Sequence, residues 1–117
     1  MKNKRLNVVL GVLVIAVIAA VPAAAAPQLT VTAFVQDQMC QGGDNVQVTL
    51  SATSDNPQTR FAWDFTNNGS RDTAFSTNPT VMTTYPDEVQ RTAKVFAKSI
   101  DGERASDTVT FQTLRCP

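Results

Sequence analysis

The 117-residue sequence contains no histidine, the side chain that most often serves as general base near neutral pH and that most often ligates metals. Cysteine is scarce, with two in the chain, too few for a structural zinc site without histidine partners. No Gly-rich loop of the phosphate-cradling kind occurs, and the carboxylates fall mostly in turn-like segments, so no pair is placed in a shared cleft for acid–base work. The formal net charge is zero. No basic tract or basic amphipathic stretch suggests nucleic acid or an anionic membrane surface as partner. Together these absences argue against an enzyme.

One long apolar run exists, and it lies at the start. Lys2, Lys4 and Arg5 precede a run from Leu6 to Ala20 broken by Asn7 and Gly11, and Pro22 and a string of alanines follow. A basic start, a short apolar stretch and small residues in A-x-A form describe a secretory signal peptide. The run is short for a membrane span, which needs about 20 residues. The expected cut follows Ala25, because a cut after Ala26 would set Pro27 beside the scissile bond; the competing reading is an uncleaved anchor. Residues 1–25 are thus read as signal and 26–117 as one exported domain, secreted or periplasmic and not inserted in the membrane after cleavage. Without Lys2, Lys4 and Arg5, seven basic residues face ten acidic ones, a net charge of −3.

In the exported part the dominant period is two. Leu29, Val31, Ala33 and Val35 alternate with polar or outward positions, as do Val46, Val48, Leu50 and Ala52. Phe61, Trp63 and Phe65 follow, then Ala93, Val95 and Ala97, then Val109 and Phe111. Strict alternation rich in β-branched and aromatic residues marks half-buried strands, and no segment shows a helical period. Gly42-Gly43-Asp44-Asn45, Asp55-Asn56-Pro57, Asn67-Asn68-Gly69, Asn78-Pro79, Tyr85-Pro86-Asp87 and Asp101-Gly102 punctuate the runs as turns. The predicted fold is all-β, an immunoglobulin-like antiparallel β-sandwich of about seven strands, with Phe61, Trp63 and Phe65 in its core. In an exported chain an even cysteine count favours a disulfide. Cys40 is read as following the first strand and Cys116 as following the last, at one end of such a sandwich, so an internal bond fits; free thiols or an intermolecular bridge are the rival readings.

The third strand carries a family signal. Phe61-Ala62-Trp63-Asp64-Phe65, then Asn68-Gly69, Asn78-Pro79-Thr80 and Tyr85, resembles the pattern of PKD (polycystic kidney disease) domains, and Asp101-Gly102 with Ser106 to Leu114 matches its final hairpin and strand. The resemblance covers about Leu29 to Leu114. It implies an extracellular immunoglobulin-like module that acts as a spacer or as a contact surface for protein or carbohydrate, often beside a catalytic domain, although one domain is expected here. Two features depart from the pattern. Val89, Gln90 and Arg91 stand where the family usually has Gly-x-Tyr, and the cysteine pair is not a general family feature.

Asp64, Thr66, Asn68, Gly69 and Asp72 fall at positions 1, 3, 5, 6 and 9 of a calcium-loop-like run. Phe75 occupies position 12, where a bidentate Glu belongs, so Asp64, Thr66, Asn68 and Asp72 form at best a weak calcium site; the bland reading of Asp64 is a carboxylate bonding amides of the next turn. Asn68-Gly69-Ser70 is a glycosylation sequon by pattern and a turn by composition. Phe34 and Phe96 lie on the outward phases of their strands and are candidates for a contact surface. The expected function is a monomeric, non-catalytic module without a cofactor that contacts an unidentified protein or polysaccharide, the alternative being a calcium-binding envelope protein. An exposed strand pairing with another subunit is a further possibility.

Overall fold

The computed structural model describes residues 28–117. The leader read over residues 1–25, with its cut after Ala25, lies outside the described residues. Among the described residues six strands follow one another: β1 (Val31–Gly42), β2 (Asn45–Ser54), β3 (Thr59–Asp64), β4 (Thr80–Pro86), β5 (Gln90–Ser99) and β6 (Arg104–Gln112). They form two antiparallel sheets, ordered β1-β2-β4 and β3-β5-β6. The inward phases of both sheets meet in one core built on Val46, Val48, Leu50, Phe61, Trp63, Tyr85, Ala93, Val95 and Ala97. No helix among the described residues is long and apolar enough to cross a membrane.

The strand count is six where about seven were expected. The segment after the β3 loop turns back along the free edge of β3 without building a ladder. Phe61 and Ser76 exchange two backbone hydrogen bonds there, at 2.7 and 2.9 Å. Asp72 N–H donates to the Trp63 carbonyl at 2.7 Å, and Trp63 N–H donates to the Thr73 hydroxyl rather than to a main-chain oxygen, at 2.9 Å. A side chain thus takes one ladder position, and the edge is covered rather than extended.

β1 runs further than its alternation suggested. Val31, Ala33 and Val35 face inward, but pairing with β2 skips one residue between Val35 and Asp37. This bulge moves the inward phase by one, so that Gln38 and Cys40 turn toward the interior instead. Cys40 therefore lies within the first strand rather than after it. The strand ends in a tight hairpin at Gly43-Asp44, where Gly43 takes φ 61°, the positive value that the first central position of a two-residue loop favours.

The two sheets also meet along one side, where β1 lies beside β6. Ala33 N–H donates to the Asp107 carboxylate at 2.8 Å. Further on, the Gln38 amide donates to the Gln112 carbonyl at 3.1 Å and accepts from Leu114 N–H at 2.9 Å. Contacts advance along both chains together, so the two run parallel, linked by side chains instead of a ladder. The Asn56 and Asn78 side chains cap their own turns by accepting from the amides of Gln58 and Thr80.

Candidate functional site

The loop after β3 gathers the residues read as possible metal ligands. Asp64 ends β3 on the outward phase, yet it is fully buried, because the loop folds over it. Its two carboxylate oxygens accept from Asn68 N–H at 3.1 Å and Gly69 N–H at 2.8 Å. The tight path is allowed by Asn67 at φ 54° and Gly69 at φ 92°. Asp72 accepts from Phe65 N–H at 2.8 Å. The Asn68 side chain accepts from Ser70 N–H at 2.9 Å, which makes the sequon a local turn. Thr66 is exposed. Asp64, Thr66, Asn68 and Asp72 thus share one loop, but both acids face backbone amides. Among the described residues no three His, Cys, Asp or Glu side chains lie close enough to hold a metal ion. As arranged, this donor set locks the turn, and a calcium shell, which needs six or more converging oxygens, would require both acids to exchange their amide partners for the cation.

Beneath the loop sits the core. Trp63 is fully buried between the sheets, and its indole N–H is buried without a partner. Phe61 is buried and Phe65 is partly so. Tyr85, from the opposite sheet, donates its hydroxyl to the Phe65 carbonyl at 2.6 Å and meets Phe111 edge-on at 5.3 Å. Burial, with Asp72 and Asp64 nearby, pushes the Tyr85 phenol up to about 12 against the opposing pull of Arg91.

The same end of the sandwich carries the cystine, since Cys40 pairs with Val46, Val46 pairs with Tyr85, and Tyr85 reaches Phe65. Cys40 and Cys116 are bonded, with Cα atoms 5.7 Å apart, inside the usual disulfide range. The tail is tied down around the bond. Cys116 N–H donates to the Asp87 carboxylate at 3.1 Å, and Glu88 N–H donates to the Leu114 carbonyl at 3.0 Å. Thr113 and Val89 exchange backbone bonds through main chain and hydroxyl. Just before Val89, the turn is made by Asp87 and Glu88, and Glu88 adopts φ 53° itself.

Phe34 and Phe96 do point outward, but the structure does not bring them together. Phe34 is on β1 and Phe96 on β5, so they lie on the opposite outer faces of the sandwich. Phe96 is half covered, with the Lys94 ammonium 5.0 Å from its ring centre. On its face, pairing sets Arg60 opposite Lys98 and Lys98 opposite Arg104, three cations in one row across three strands.

No protein-family model and no curated protein sequence matches the chain. The structure superposes on the crystal structure of the PKD1 domain of Vibrio anguillarum Epp with a TM-score of 0.52 and 16% sequence identity, covering 77% of this chain and 98% of that one. The fold is that of a PKD-type domain. At this identity the likeness concerns the fold alone.

Within the PKD-type frame, the aromatic-x-Trp-Asp-Phe strand supplies one buried indole and one buried turn-locking carboxylate, and the Tyr supplies a clasp between the sheets. Sequence reasoning missed the Arg60–Lys98–Arg104 row and the role of Phe75. Lys98 sits 4.8 Å from the Phe75 ring centre and Arg71 4.9 Å from it. A signal was present, since Arg60 alternates with Phe61 as Lys98 does with Ala97, both on the outward phase.

Proposed function

We propose that this chain is an exported, non-catalytic contact module that works as a monomer at the cell envelope or exterior and engages a protein or polysaccharide partner through its outer surface. The observation that carries this reading is the Cys40–Cys116 bond in a PKD-type sandwich. Such a bond persists in oxidising compartments and is rare in the cytosol. The basic and apolar start of the chain supports the same route. The lack of histidine, and the commitment of both thiols to the cystine, leave no conventional base or thiolate nucleophile.

Fractionation with intact-mass analysis tests it. The expected result is protein outside the cytoplasm, beginning at Ala26, with both thiols oxidised; full-length chain in the cytoplasm with reduced thiols would overturn the reading. A second reading, calcium binding through Asp64, Thr66, Asn68 and Asp72, draws on the gathering of these oxygens in one loop. It asks both acids to exchange amide partners for a cation. Titration calorimetry in millimolar calcium decides it: heat together with a raised melting temperature supports it, and neither discards it.

A further inference from the structure

The exported part is acidic overall, yet its cations are not spread evenly. Arg60, Lys98 and Arg104 stand side by side on the outer face of the β3-β5-β6 sheet, in direct cross-strand register. Adjacent strands are about 4.8 Å apart, so the row spans roughly 10 Å. Lys94 lies on the same outward phase two positions before Phe96, and Arg71 joins Lys98 over the Phe75 ring. Like charges directly opposite one another destabilise a sheet. Among the described residues the one ion pair is Arg115–Glu88, at the cystine end. Asp101 and Glu103 in the neighbouring hairpin loop make none with the row. Charged edge strands guard against aggregation, which could account for Arg60 on β3 and Arg104 on β6. It does not account for Lys98, which occupies the central strand. An open groove of about 500 Å³ adjoins the row, lined by Arg60, Lys98, Phe75, Gln58, Pro57 and Ile100.

We propose that this face, centred on Arg60, Lys98 and Arg104, docks an acidic polysaccharide, a polymer that carries carboxylates or sulfates along its length. The proposal rests on the contact-module reading and names its surface and ligand class. Charges set side by side on an open sheet match a line of anions, not one small anion held by converging donors. Strand-borne hydroxyls of Thr92, Ser106, Thr108 and Thr110 continue the face with hydrogen-bonding groups suited to sugars. Single-stranded nucleic acid binders use aromatic rings as stacking platforms, whereas the Phe75 and Phe96 rings already carry cations. A protein partner favours an apolar centre with aromatic or Arg anchors, and the middle of this face is charged.

The test uses protein purified from cells expressing the full chain, with immobilised alginate and heparin as probes and dextran, polyglutamate and single-stranded DNA as comparators. The native protein is expected to prefer both acidic glycans to dextran, with binding that weakens as salt rises. The triple variant Arg60→Gln, Lys98→Gln, Arg104→Gln is expected to lose about tenfold in affinity or more, while Arg115→Gln, off the face, keeps it. The triple variant should melt no lower than the native protein, because neutralising the row relieves repulsion. Arg60→Glu alone, on the edge strand, gives a second readout with the same direction. Equal binding to dextran, unchanged affinity in the triple variant, or equal affinity for polyglutamate or DNA overturns the proposal. If the triple variant still captures dextran or an envelope protein as the native chain does, the contact-module reading stands and only the assignment to this face falls. Reduced protein retained in the cytoplasm removes the contact-module reading itself.

Discussion

On the β1-β2-β4 sheet, the side chains that point away from the core include Thr32, Phe34, Met39, Thr49, Met82 and Thr84, with Asp37 as the one charge near them. On the β3-β5-β6 sheet they include Arg60, Lys94, Phe96, Lys98 and Arg104 among Thr and Ser hydroxyls. Both faces are the back of the same alternation, and their inward sides are chemically alike, small and branched around Trp63. Packing constrains the inward positions tightly and the outward ones hardly at all. A difference between the two outer faces is therefore not a by-product of folding. The neutral face has scattered apolar side chains, such as Met82 at 63% and Phe34 at 38% exposure, which are ordinary on a surface. The cationic face places like charges in register, at a cost that a purely structural sheet has no reason to bear.

The comparison can be broken most severely from the middle. Trp63→Ala removes the side chain that both sheets share, and it is expected to cost about 3–5 kcal/mol by thermal or denaturant unfolding. Phe34→Ala on the neutral face should stay within about 0.5 kcal/mol. A Trp63 variant as stable as the Phe34 one would mean that the sheets do not stack around the indole.

Opening the cystine comes next. The bond closes a loop of sequence separation 76, for which chain entropy gives up to about 4.5 kcal/mol. Cys40→Ser with Cys116→Ser should lower the melting temperature strongly and loosen β1 from the tail after β6, which amide exchange at Leu114 and Cys116 would report.

Tyr85→Phe should be milder, about 1 kcal/mol, because it leaves the Phe65 carbonyl without its donor. It also changes the pH response. The folded phenol titrates at about 12, above its ordinary value of 10.0. Below pH 10 folded and unfolded chains both hold the proton. From about 10 to about 12 only the folded chain does, so native stability falls as pH rises through that window. The Phe variant should show a flatter alkaline limb; an unchanged limb would place the phenol outside the clasp.

The smallest effect sharpens the charge contrast. Lys98→Gln should shift stability by no more than about 0.5 kcal/mol, upward at low salt, with the gain vanishing at high salt. A loss of stability at low salt would mean that the row is compensated by acids and not repulsive.

Much of the fold was legible because it follows from alternation. All six strands and the inward phase of Trp63 can be read from residue types. The bulge after Val35 was not, because one skipped residue reverses the phase without any turn residue to mark it, and the location of Cys40 within the strand was hidden with it. The segment beside β3 adds no seventh strand, since the Thr73 hydroxyl and not a carbonyl pairs with Trp63 N–H. Asp64 was placed on the correct phase, but its burial depends on how the Asn67–Gly69 turn closes over it. Phe34 and Phe96 were rightly read as outward, and their separation depends on which strand joins which sheet. The cationic row was the least legible feature. Arg60, Lys98 and Arg104 are neighbours only through pairing register, and the negative net charge of residues 26–117 pointed away from any basic surface.

Amide chemical-shift mapping of the folded protein with alginate tests most directly whether the two faces differ in function. The account predicts perturbations concentrated on β3, β5 and β6 around Arg60, Lys98 and Arg104, with Phe34, Met39 and Met82 undisturbed. Perturbations centred on the β1-β2-β4 face, or none at saturating glycan, would contradict it.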